Sequence, residues 1–439
     1  MRSTIGSRYL ALAMTLACTP GGVETDSGTT SENSSDSDSE TVNETANETG
    51  AAPREPGAAV WNHLVDPPEG EAAAARGITV GGDGHLYIAG WIEGPESTHP
   101  SALLPNLDIF IRKLTRDGIE VWTLVHDTLI SGYDRGFAIA PLDAESVVVV
   151  GQVQIDQGDV WVRAIGADAS TLWTTTASGS NFADDAGLGV VTRADGSLVV
   201  AGRVYGAAPM SDDGVIWIRH LTSAGGELET AWVEAQGDPW HASAQAIGLH
   251  PDGSSVYAVG VRPFELAARI WVGRFGGALE PTWQATLSET AGIAHGVAVT
   301  YDGDPIVAGT TGSVATLGYV DGPSAAWIGR FHGGTGDVRW SLTRAETSHQ
   351  QAHAITIDGA GEVIVVGEAG DAPGAGAAWI AKLDPSDGSE IWSVTDLVDD
   401  GASAARALGV TTDGDSKIYI AGTVVMADGE RLWVQRREP

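Results

Sequence analysis

The stretch Asp108–Trp122, DIFIRKLTRDGIEVW, joins two short apolar runs through an Asp-Gly turn. The first run has an aromatic near its start, basic residues follow, and the second ends in Trp. The same frame returns six more times. A Trp closes an apolar run at Trp61, Trp122, Trp173, Trp232, Trp283, Trp340 and Trp392. An aromatic opens another at Phe110, Trp161, Trp217, Trp271, Trp327, Trp379 and Trp433. A Gly ends a β-rich run at Gly90, Gly151, Gly202, Gly260, Gly309, Gly367 and Gly422. The members of each set stand about 50 to 60 residues apart. A period of that length, with four short strands per unit, marks a β-propeller.

Each unit reads as four strands, A to D. Strand A (FAIA, LGVV or VAVT) alternates large apolar residues with Gly, Ala or Thr, a period of two. One face is bulky and the other nearly bare, as expected if each blade packs its large face into the small face of its neighbour. Hairpin turns follow at Asp83-Gly84, Asp195-Gly196, Asp252-Gly253, Asp302-Gly303 and Asp413-Gly414. Strand B ends at the landmark Gly, strand C carries the first aromatic and a basic residue, and strand D carries the Trp. No stretch shows sustained helical periodicity. The chain enters with a D-type strand around Trp61 and leaves after a C-type strand around Trp433. Pairing the two would close a ring and remove its exposed edges. The expectation is an all-β, seven-bladed β-propeller over residues 58–439 whose N-terminal strand completes the last blade.

Ahead of the repeats, Arg2 and Arg8 precede the short apolar segment Tyr9–Ala17, the pattern of a secretion signal. The chain's single cysteine, Cys18, follows directly. Leu16-Ala17-Cys18 resembles a bacterial lipobox, with Thr15 where a Leu is usual. That resemblance implies removal of residues 1–17 and a lipid on Cys18. Thr19 rather than Asp next to it favours the outer membrane, facing either the periplasm or the cell surface. An ordinary signal peptide that happens to contain a Cys is the other reading. Residues 18–57 are rich in Ser, Thr, Gly, Asn and Glu with almost nothing large and apolar. They read as a disordered acidic tether.

The formal charge of the 439-residue chain is −34. Such a surface repels phosphate backbones, so no nucleic-acid partner is expected. It suits a soluble, well-separated particle, and a monomer is expected. One Cys allows neither a disulfide framework nor a Cys-based metal site.

The unit Ile78–Gly90 with Asp108–Leu114 resembles the bacterial β-propeller repeat called SBBP. The strand D region is similar to the tryptophan-docking motif of PQQ-type propellers, Asp-x-x-Thr-Gly-x-x-x-Trp. Asp384, Gly388 and Trp392 match it with Asp387 in place of Thr, and Thr335, Gly336 and Trp340 match it with His332 in place of Asp. These resemblances cover Ala58–Pro439 and imply the fold. Quinoprotein dehydrogenases with that motif hold their cofactor against a vicinal disulfide, which a single Cys cannot form, so no cofactor is expected. Gly-x-Ser-x-Gly, His-Glu-x-x-His and EF-hand patterns are all absent from the sequence.

One constellation emerges when the A strands are aligned on their first large apolar residue. Two positions earlier stand Arg76, Arg135, Ala186, Gln245, His295, His353 and Arg406. Arg76, Arg135, Gln245, His295, His353 and Arg406 would form a polar, partly basic collar where the central channel opens, suited to an anionic group. The competing reading has them bonding inter-blade carbonyls or neighbouring acids such as Asp134 and Asp185. His349 and His353, with His295 one blade away, offer a thin prospect of a metal site; no carboxylate is in frame, and no metal is expected. The periodic Trp residues belong to packing. Trp91 and Trp240, outside both sets, and Tyr133 and Tyr205 are better placed for ligand contact.

The function expected is a non-enzymatic binding or scaffold module for a protein or glycan, held at the membrane by the lipid on Cys18. An enzyme acting on an extracellular polymer, with its site at the channel mouth, is the alternative. An outer-membrane assembly factor is a third reading, by analogy of fold alone.

Overall fold

Period-two alternation, broken by turns that favour positive φ, yields short antiparallel strands and, among the described residues, no helix. The computed structural model describes residues 54–65, 73–94, 106–127, 132–154, 158–179, 184–205, 214–233, 242–264, 267–314 and 320–439. These contain strands β1 to β27. Four of the five Asp-Gly turns hold their Gly at positive φ (Gly84, Gly196, Gly253 and Gly303); in the fifth Ser416 does so instead of Gly414.

The repeating unit is a four-stranded antiparallel meander. Strands β2 (Ala73–Val80), β3 (Leu86–Glu93), β4 (Leu107–Leu114) and β5 (Glu120–His126) form one sheet. Strands β6 (Arg135–Pro141), β7 (Ser146–Val153), β8 (Asp159–Gly166) and β9 (Thr171–Ala177) form the next. A third is built from β10 (Ala186–Thr192), β11 (Leu198–Tyr205), β12 (Gly214–Leu221) and β13 (Glu227–Val233).

The same pattern then runs on without a break in pairing. Strands β14 (Ser243–Leu249), β15 (Val256–Phe264) and β16 (Ala267–Phe275) lead into the long β17 (Pro281–Val299). The first part of β17 pairs with β16, and the part from Gly292 pairs with β18 (Pro305–Val314). Next come β19 (Val320–Phe331) and β20 (Val338–Arg344), then β21 (His349–Ile357), β22 (Val363–Gly370), β23 (Gly376–Leu383) and β24 (Glu390–Asp396). A parallel bridge, Ser324↔His349, links β19 to β21.

The last sheet joins both ends of the chain, in the order β1 (Ala59–Val65), β27 (Gly429–Arg437), β26 (Ile418–Met426), β25 (Ala404–Thr412). β1 runs antiparallel to β27, with Leu64 opposite Trp433. The described residues of this part of the chain begin at Arg54, a little before Ala58. The Gly57 N–H donates to the Glu438 carbonyl (3.1 Å), and Arg437 donates to the Gly57 carbonyl (2.7 Å). Gly57, at φ 76°, stands where the other units have the positive-φ residue of their C–D turn.

The apolar core is distributed among seven clusters, each shared by two consecutive sheets. Strand C aromatics sit at their centres, with Trp271 and Trp433 wholly buried. The strand D Trp residues reach across to the next sheet. The Trp173 indole N–H donates to the Ser223 carbonyl (2.9 Å), Trp283 to Gly333 (2.8 Å) and Trp340 to Pro385 (3.0 Å). Fold class is therefore all-β, in four-stranded antiparallel sheets consistent with a propeller.

The innermost strands show one departure from expectation. Each carries a β-bulge one residue past its pairing with the landmark Gly: Ala75↔Gly90 is followed by Gly77↔Ala89, and Gly136↔Gly151 by Ala138↔Val150. After the bulge comes Gly77, Ala138, Gly189, Ala246, Gly296, Ala354 or Gly409. A Cβ on Gly77 would lie 3.0 Å from the Ala138 Cα, and one on Gly409 2.7 Å from the Arg76 carbonyl. Bare positions of adjacent A strands thus meet one another, and bulky positions turn toward the central channel.

Candidate functional site: a cavity among the innermost strands

The bulges determine which side chains reach the channel. A cavity of about 250 Å³ is lined by the same three-residue segment of seven strands, β2, β6, β10, β14, β17, β21 and β25. The bulged residues form its first tier: Arg76, Phe137, Leu188, Gln245, His295, His353 and Leu408. The Gly/Ala ring is the second tier. The third is wholly aliphatic and β-branched, running from Ile78 through Val190 and Val297 to Val410.

Four of the six collar candidates, Arg76, Gln245, His295 and His353, therefore line one cavity. Arg135 and Arg406 do not. In β6, β10 and β25 the first large apolar residue is itself the bulged one, so alignment on that residue slips by two positions. Phe137, Leu188 and Leu408 take the places assigned to Arg135, Ala186 and Arg406. A signal for this was present: the bulged residue stands fourteen positions before the landmark Gly in six of the seven repeats. Arg406 instead pairs with Glu430 (3.0 Å).

Arg135 joins a stack beside the cavity. Its guanidinium lies 4.5 Å from the Tyr133 ring centroid and 5.5 Å from that of Trp91. The Arg76 guanidinium lies 5.5 Å from the same Trp91 centroid. Trp91 also meets Phe137 edge-on at 6.1 Å. Two candidate loop aromatics, Trp91 and Tyr133, are thus brought to the collar and brace its arginine. Tyr205 is buried (9 %), its N–H donating to Asp185 (2.8 Å), and does not join them. Trp240 and Cys18 lie outside the described residues.

The electrostatics of the cavity oppose those of the surface. Among the described residues that line it there is no carboxylate, and Arg76 is its one charged side chain. The His295 and His353 rings stand 5.6 Å apart. Burial, reinforced by Arg76, holds His295 down to about 3. Burial, then His295, Arg76, Arg406 and His349, holds His353 well below the usual histidine range. Both imidazoles are consequently neutral at pH 7, and the Nε2 atom of each is enclosed without a hydrogen-bond partner. The Gln245 amide donates to the Ser243 hydroxyl (2.7 Å). Such an arrangement offers one guanidinium and neutral hydrogen-bonding groups to an anion, above an apolar floor.

His349 turns elsewhere. Its Nδ1 lies 2.8 Å from the Ser324 hydroxyl and its Nε2 2.8 Å from Glu368 Oε1. This Ser–His–carboxylate order was not foreseen, since the three residues come from β19, β21 and β22. Ser324 is 5 % exposed, Glu368 3 %, and none of the three lines the cavity. The series spans the single parallel bridge between β19 and β21, where it ties two sheets together. Among the described residues no three His, Cys, Asp or Glu side chains gather as a metal-ligand set.

No family model and no curated protein matches the sequence. Similarity appears among solved structures. A protein of unknown function from Dyadobacter fermentans is 10 % identical with a TM-score of 0.53, covering 87 % of this chain and 98 % of that one. Hydrazine synthase from Kuenenia stuttgartiensis is 13 % identical with a TM-score of 0.51, over 80 % and 95 %. Sqt1 from Chaetomium thermophilum, solved bound to the N-terminus of a ribosomal protein, is 12 % identical with a TM-score of 0.50, over 84 % and 98 %. At these identities the likeness is one of fold alone.

Proposed function

We propose that this chain is a seven-bladed β-propeller acting as a non-enzymatic binding module, anchored by a lipid on Cys18 in the outer membrane. Its site receives an anionic group of a protein or glycan partner at the central channel. Seven lining strands and seven inter-sheet clusters support the blade count. The observation that carries the site is the reversal of charge. A chain of net charge −34 surrounds a cavity lined by one guanidinium, two neutral imidazoles and no carboxylate. A guanidinium and neutral imidazoles in a lining without a carboxylate offer an incoming anion charge-assisted and neutral hydrogen bonds and no like charge to repel it.

Calorimetric titration of the full chain with acetate and inorganic phosphate tests the site. At least one should bind, and Arg76→Gln should weaken it tenfold or more with the circular dichroism spectrum unchanged. Silence from both anions, or equal binding by the variant, would remove the basis for an anion site. The anchor has its own check. Detergent-phase partitioning of the exported protein should vanish in Cys18→Ala, and persistence of it would overturn the lipid assignment.

A further inference from the structure

Three consecutive sheets repeat one device in their last two strands. Arg112, Arg163 and Arg219 each lie over the strand C aromatic, with guanidiniums 5.2, 4.8 and 4.9 Å from the centroids of Phe110, Trp161 and Trp217. Each donates through Nε to a strand D threonine: Thr123 (2.8 Å), Thr174 (2.9 Å) and Thr230 (3.1 Å). In two of the sheets a glutamate completes the device. Arg112 pairs with Glu120 (3.1 Å) and Arg219 with Glu227 (3.2 Å), and each glutamate also accepts from its threonine. In the middle sheet the register puts Thr171 at that place, opposite Ile165 as Glu120 stands opposite Leu114 and Glu227 opposite Leu221. Among the described residues no carboxylate forms an ion pair with Arg163. Burial lowers its pKa with no acid opposing the shift, whereas Glu227 opposes the same effect at Arg219.

The same change leaves the strand edge unguarded. Strand β9 ends its sheet, at the far side of the pairing order from β6, which lines the cavity. Its sequence, TLWTTTA, holds no charged residue, whereas β5, β13, β20 and β24 each carry Glu, Asp or Arg. Charges on an edge strand are what discourage another chain from pairing with it, and a run of β-branched threonines favours the extended backbone. Thr174 and Thr176 are exposed, and Leu172 is 52 % exposed.

We propose that β9 receives an extended segment of a partner protein as a fifth strand of its sheet, with one Asp or Glu of that segment on Arg163. Main-chain hydrogen bonds along the edge supply affinity, and the guanidinium fork, which suits a carboxylate, fixes the register. A second copy of this chain fits less well. Its own β9 brings no carboxylate, and two particles of net charge −34 repel one another. That charge also selects against polyacidic segments, so the segment carries a single carboxylate among uncharged, strand-favouring residues.

A display library of random ten-residue segments, panned on the full chain, tests this, with the selected segments remade as labelled peptides for fluorescence anisotropy. They should carry one Asp or Glu in an uncharged, β-branched stretch, and replacing it by the amide should weaken binding tenfold or more. Arg163→Gln should do the same. Thr171→Glu, which rebuilds the internal pair seen at Glu120 and Glu227, should also abolish binding without harming the fold. Hydrogen exchange over Trp173–Ala177 should slow when peptide binds. Affinity indifferent to Arg163→Gln and Thr171→Glu, or binding without slower exchange in β9, would overturn the proposal. Sedimentation showing a parent dimer that Thr171→Glu dissociates would assign the edge to a second copy instead, and overturn it equally.

Discussion

His63 joins the closing strand to the rest of the ring through one buried contact. Its Nε2 lies 3.1 Å from Arg112 Nη1 on β4, and the ring is 1 % exposed. Burial, then the Arg112 charge, hold its pKa down to about 4, against an opposing pull from Glu120. The unfolded chain takes up this proton below about pH 6.5, and the folded chain refuses it until about pH 4. Stability is therefore full above pH 6.5 and falls as pH drops through that window, by about 3 kcal/mol for this one group. His126, also held at about 4 by burial and Arg163, acts in the same sense. Asp108 and Asp185, raised to about 6 chiefly by burial, act in the opposite sense. Comparing variant with parent isolates the single term. Thermal melts of His63→Gln should lose less between pH 7 and pH 4.5 than those of the parent. Parallel losses would show that His63 does not couple closure to pH. That the neighbour of His63 is Arg112, 49 residues away, only folding reveals.

Between sheets, the same exchange recurs. A strand D Trp lies over the positive-φ residue of the next C–D turn and donates to a carbonyl of that turn. Gly225, at φ 81°, has no Cβ to spare: one placed there would meet the Trp173 ring at 2.6 Å. Gly225→Ala should cost about 1–3 kcal/mol, from clash and left-handed backbone strain together. Trp173→Phe, which gives up the bond to Ser223, should cost about 1 kcal/mol for that bond besides lost packing. Urea unfolding of both variants and of the double mutant should show coupling, since both changes act on one contact. Additive costs would mean that the indole and the turn are independent.

One junction departs from this rule. Trp232 is 38 % exposed, and the turn facing it carries Leu279 at φ 55° where its counterparts place Gly or, in one case, Ala169. Leu279 is itself 2 % exposed and packs into the cluster between those sheets. A buried Leu side chain occupies the place of the docked indole. The periodic Trp set was legible in the sequence, but that one member lacks its dock was not, because the defect lies in the partner turn.

Across the whole molecule, closure and charge are separate designs. Pairing of β1 with β27 brings residues from opposite ends of the chain into one sheet, as the leftover D-type and C-type strands imply. The acidic excess lies away from the cavity, whose lining holds no carboxylate. Strand identity, the turns, the closing pair and the packing role of the repeated Trp residues could all be read from the sequence. They depend on local periodicity and on residue types that a given turn or face admits. The channel lining could not be read in full. Arg76, Gln245, His295 and His353 were recognised, whereas Phe137, Leu188 and Leu408 were passed over in favour of Arg135 and Arg406. A bulge changes which side of a strand each later residue faces, and its position is set by pairing with the adjacent strand rather than by the strand's own composition. Tertiary structure alone decided that register. With it came the half-polar, half-apolar cavity, assembled from seven segments far apart in the chain.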